Sequence, residues 1–83
     1  MSNVKKAVVR LDMSGEEAMQ LVKKRYSVGS KIGASGIIER IEQMHDHIMI
    51  YFLAAANAIA TVFGSIHDAF MFNCQCTLVP QAD

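Results

Sequence analysis

Apolar side chains recur at steps of three or four from Ser35 to Met71, and no other feature restricts the folding of this chain so strongly. Ile37, Ile41, Met44, Ile48, Phe52, Ala56, Ile59, Phe63, Ile66 and Phe70 follow the period of one helix face. A continuous helix over that stretch would run roughly 55 Å, beyond the diameter of a compact domain of this size. Two outcomes are open: the helix breaks, with Gly64-Ser65 the expected place, or it stays long and buries its face against another copy. Between Ile48 and Phe63 the residues are apolar nearly all round, more than a small monomer with few other elements can cover. A homo-oligomer is therefore expected.

Eighty-three residues leave room for a single domain, 1–83, near the size at which one core only just offsets the entropy of ordering the chain. Half of the residues are hydrophobic, and eight basic groups balance eight acidic ones. Disorder is disfavoured, and zero net charge argues against bulk attraction to nucleic acid or a membrane while permitting a local patch. The Ile48–Phe63 run falls short of the roughly 20 residues of a spanning helix, carries Asn57 at its centre and is bracketed by His45, Asp46, His47, His67 and Asp68. The N-terminus shows no continuous apolar stretch of the signal-peptide kind. A cytoplasmic protein without a membrane span is the expectation, and Cys74 and Cys76, too close for an ordinary mutual disulfide, are expected to be reduced.

Val4 to Asp12 alternates, with Ala7, Val9 and Leu11 on one side, and reads as a half-buried strand. Ser14-Gly15-Glu16-Glu17 has the form of a capping box and predicts a helix of about twelve residues, with Ala18, Leu21, Val22 and Tyr26 on its buried stripe. Lys23, Lys24 and Arg25 suit the negative end of its dipole. Ser27 to Gly36 breaks both periodicities and marks a loop, after which Ser35 can cap the next helix. Asn73 to Val79 alternates again, and Pro80 ends the ladder. The terminal strands most economically pair with each other, within or between chains. The fold class expected is α+β and helix-dominated, a helical bundle with an N-terminal strand, a helix, a long amphipathic helix that Gly64 can break, and a C-terminal strand, assembled as an intertwined homo-oligomer.

The loop is the leading candidate site. Its glycines can turn backbone N–H groups toward a ligand, its serines add donors, and a helix start behind it would add partial positive charge. Lys23, Lys24, Arg25 and Lys31 lie in a stretch, Ala18 to Ile38, without an acidic residue. The expected ligand is a phosphate-bearing small molecule such as a nucleotide, held by Lys23, Arg25, Ser30, Lys31 and Ser35 with the backbone of Gly29, Gly33 and Gly36, and with Tyr26 free to stack on a base. The spacing matches neither the P-loop nor the dinucleotide fingerprint.

Other groupings are weaker. His45 and His67 sit symmetrically about Ala56, so two crossing antiparallel helices would bring them together with Asp46 and Asp68 in a metal site between subunits; polar edging of a buried segment is the simpler reading, and no metal or other cofactor is assigned. Cys74 and Cys76 serve as small hydrophobes on the apolar face of the last strand. No nucleophile stands beside a base, and no enzyme is expected. The alternative function is a protein-interaction module or inhibitor acting through the apolar helix.

Ala7-Val-Val-Arg-Leu-Asp12, followed by a capped helix and then Ser35-Gly-Ile-Ile-Glu-Arg-Ile41, resembles the ribbon-helix-helix DNA-binding domains over about half of the chain. The resemblance implies a dimer whose paired strands enter the major groove, with Lys6, Val8 and Arg10 at the outward positions. The interhelix loop is longer and richer in glycine than in that family, and the Ile48 to Phe70 extension has no counterpart there.

Overall fold

A computed structural model describes residues 3–81. Its elements are β1 (Val4–Leu11), α1 (Glu16–Arg25), β2 (Lys31–Ile32), β3 (Gly36–Gln43), β4 (Ile48–Ala55), a 3₁₀ turn (Ala56–Ala58), α2 (Ile59–Phe70) and β5 (Cys76–Val79). The five strands form one antiparallel sheet in the order β2-β3-β4-β1-β5, curled into a half-barrel. Strand residues outnumber helical ones, which corrects the helix-dominated expectation and excludes a helical bundle.

The long helix does not form. Its first half is the β3–β4 hairpin, turned at Met44 to His47, and only Ile59–Phe70 is helical. Gly64 lies inside α2 and neither bends nor ends it, and Ser35 precedes a strand rather than capping a helix. The burial of β4 decides the matter: Ile48, Ile50, Phe52 and Ala54 are buried and the residues between them half-buried, a period of two. Isoleucine and aromatic side chains, dense from Ile48 to Leu53, fit a pleated surface better than a helix.

α1 starts at Gly15, with φ +92°, instead of at Ser14, and no side chain caps it, so the capping box is not made. β5 is shorter than the alternation suggested, because Asn73 and Cys74 both donate to Phe70 O (2.9 and 3.1 Å) in the turn that ends α2. β1 and β5 do pair, within the chain, Val8 opposite Val79 and Leu11 opposite Cys76.

Both helices lie on one face of the sheet. Val9 and Leu11 of β1, Ile38 of β3 and the four buried residues of β4 meet Met19 and Val22 of α1 and Val62, Ile66 and Phe70 of α2 in one core, with no polar or charged residue buried among the described residues. The apolar stretch that seemed to need a second copy is covered by its own chain, so the reason for an intertwined oligomer disappears. β1 lies between β4 and β5 over Val8–Leu11 and Val8 is 1% exposed, so the two-stranded ribbon implied by the family resemblance is absent.

The opposite face carries Met49, Tyr51 and Leu53 of β4, half-buried under their neighbours' charged side chains. Arg40 lies over the Tyr51 ring at 4.0 Å, and ion pairs join Lys6 to Glu39 (3.7 Å) and Arg40 to Glu42 (3.2 Å). Such exposed pairs are screened by solvent and add little to stability. Their main effect is to roof the apolar row with guanidinium and methylene groups.

Candidate functional site

The predicted loop is a hairpin arm. Gly29 N–H donates to Ile38 O and Ile38 N–H to Ser30 O, each at 2.9 Å, after which Lys31 and Ile32 pair with Ile37 and Gly36. Ser30 Oγ accepts from Ser27 N–H at 2.8 Å and lies 3.1 Å from Ser27 Oγ. Gly33, at φ +63°, and Ser35 belong to the turn into β3. Several donors expected to face a ligand therefore close the hairpin, and no helix start stands behind them. Gly36 is placed by packing: a Cβ there would lie 2.8 Å from both Val62 methyls and 2.9 Å from Ile32 O.

Tyr26 is 8% exposed and meets Phe70 edge-on, centroids 6.1 Å apart, so most of its ring belongs to the core. Lys23 and Arg25 are exposed but diverge. Arg25 joins Lys24 beside Leu21, Ala69 and Phe70 in a shallow cavity of about 260 Å³ between the helices. Lys23 and Tyr26 instead line a groove of about 480 Å³ between α1 and β3, with Met19 from α1, Ser27 and Val28 from the connection, and Ile41 and Gln43 from β3. Of the nine residues assigned to the loop site, this groove brings together only Lys23 and Tyr26.

An open sheet edge forms one wall of the groove. Ile38 turns its backbone outward to Gly29 and Ser30, whereas Met44 turns inward, donating to His47 O at 2.8 Å. Backbone groups alternate in direction along an antiparallel strand, so counting back from Met44 places those of Glu42 and Arg40 toward β4 and those of Gln43 and Ile41 away from it. The change of phase from Ile38 is taken up by a register shift at Glu39, the mark of a β-bulge. β2 reaches only Gly36 and Ile37. Among the described residues, no backbone hydrogen bond outside the strand ladders reaches Ile41 or Gln43, and the alternation of the β3–β4 ladder directs their N–H and C=O away from β4.

Met19, Val28, Ile41 and Gln43 were not among the expected binding residues. Val28 had a visible signal, a lone large apolar residue in a polar connection, and it is 68% exposed. Ile41 and Gln43 had none until β3 was recognised as a strand with an unpaired side.

The remaining polar groups do not assemble. Among the described residues no three histidine, cysteine or acidic side chains could hold one metal ion. His45 lies in the β3–β4 turn and His67 in α2, so the crossing of two helices that would have joined them does not exist. Asp46 accepts or shares a 2.6 Å hydrogen bond with His47 Nδ1, which holds its carboxyl below the usual range.

Cys74 and Cys76 are free and half-buried, and burial raises both thiols, Cys76 to about 11. A thiol raised by folding contributes stability that is intact below its unfolded value and lost as pH rises through its folded value. Iodoacetamide at pH 8 is accordingly expected to label both cysteines much more slowly in the native protein than in denaturant; equal rates would show that neither thiol is shielded.

No helix among the described residues is long and apolar enough to cross a membrane. No family model, curated protein or solved structure matches the chain significantly.

Proposed function

We propose that this protein is a small, non-enzymatic binding module, acting in the cytoplasm, that takes an extended polypeptide segment along the free edge of β3. The observation that carries the reading is the pair of outward-facing residues, Ile41 and Gln43, beside an apolar groove. An added strand gains main-chain hydrogen bonds from such an edge and specificity from the pocket that receives alternate side chains. Natural sheets blunt unused edges with charge, bulges and short strands. Here the charged residues of β3 stand on the face away from the groove, so β3 presents only uncharged Ile41 and Gln43 to it.

A phosphate-bearing small molecule is the second reading. It is favoured by one observation: Lys23, Lys24, Arg25 and Lys31 make no ion pair among the described residues. Two variants separate the readings in one experiment, with a displayed random-peptide library and a nucleoside triphosphate as probes. Val28→Glu, at an exposed position, is expected to abolish peptide enrichment. Nucleotide binding that is lost on combined Lys23→Glu and Lys31→Glu, together with enrichment indifferent to Val28→Glu, would overturn strand addition in favour of the phosphate reading.

A further inference from the structure

Given strand addition at β3, we infer that the occupant is an extended segment with an acidic side chain two residues from an apolar one. Occupant residues opposite Ile41 and Gln43 share their face of the sheet, so their side chains enter the groove. There they meet Met19, Val28 and Ile41, which are apolar, and Lys23, the one charged residue in the lining. Among the described residues no acid pairs with Lys23. The chain has none between Ala18 and Ile38, while Glu39 and Glu42 are held on the other face by Lys6 and Arg40. An apolar side chain followed by a carboxylate on that face is matched by this lining, whereas a lysine at the second position meets the like charge of Lys23.

A second copy fits less well. The antiparallel alignment that engages all the outward groups sets Ile41 of one chain against Gln43 of the other, and so sets Glu42 directly against Glu42. Like charges opposite one another destabilise a strand pair. Such a copy also offers no acid to Lys23.

The test uses two seven-residue peptides of threonine carrying valine, a charged residue and valine at alternate positions, the charge being glutamate in one and lysine in the other. Each is titrated into the intact protein while amide exchange is followed by NMR and mass by sedimentation. At low salt the glutamate peptide is expected to bind about fivefold more tightly, with the gap closing as salt is added. Lys23→Glu should invert the preference, and the Ile41 and Gln43 amides should gain protection with the preferred peptide. Equal affinities with both amides protected would overturn the acidic preference and leave strand addition standing. Protection from neither peptide would overturn both. Protection that rises with protein concentration alone would make the second copy the occupant and overturn the inference.

Discussion

Phe52→Ala is expected to remove a large share of this protein's stability and to lower its urea denaturation midpoint sharply. Phe52 is fully buried in β4, flanked by Ala7 of β1 and Ile38 of β3, both themselves buried. Truncating a core phenylalanine costs about 3–5 kcal/mol, the lost transfer energy plus that of the cavity. A chain this short has a net stability of roughly 4–12 kcal/mol, so one such change consumes much of it. The neighbouring positions separate this architecture from a helix. Ile50→Ala is expected to cost about 2–5 kcal/mol, whereas Leu53→Ala, half-buried on the other face, should cost clearly less. Urea denaturation of an alanine series through β4 would show losses alternating with a period of two. Losses repeating every three or four residues would contradict the sheet.

Gly36→Val should be nearly as damaging, for the opposite reason. The first strand residue of β3 passes so close to α2 that even a methyl group would sit 2.8 Å from two Val62 carbons, with Ile32 O at 2.9 Å on another side. Val62 is itself 3% exposed and cannot easily retreat. Overpacking of this kind costs about 1–3 kcal/mol, and the two methyl groups that valine carries beyond Cβ bring the expected loss to the top of that range or beyond. Val62→Ala should partly restore the stability of Gly36→Val by opening the space. Denaturation midpoints of the two single variants and the double would test this, and strictly additive losses would place the crowding elsewhere.

The same packing explains what could be read from residues alone. β1 and α1 were legible because one period dominates each: Ala7, Val9 and Leu11 at steps of two, although Val8 is buried on the other face, and Ala18 and Val22 at a step of four. β3 and β4 were not, because a step of four is both one helical turn and two strand repeats. Ile48 to Phe52 satisfies either rule. β4 hides its alternation further, since Met49, Tyr51 and Leu53 on its outer face are as apolar as Ile48, Ile50 and Phe52 on its inner one. The bulge at Glu39 moves Ile38 and Ile41 onto one face at a spacing of three, which mimics a helix again. The polar turn Met44 to His47 between two apolar runs was the available sign of a hairpin.

The candidate site was legible only at its basic rim. Lys23 stands out from the absence of acids around it, but a groove is a property of two elements and a free edge is a property of pairing. Neither can be located before the strand order is known. Tyr26 shows the converse: its type invited a stacking role, and the core takes most of the ring through Phe70.

Backbone amide exchange across β3 reports strand, direction and open edge together. In dilute protein without peptide, the amides of Glu42 and Met44 should exchange slowly and those of Ile41 and Gln43 fast, an alternation along four consecutive residues. Uniform protection of all four would contradict the open edge, and with it the surface on which the proposed function depends.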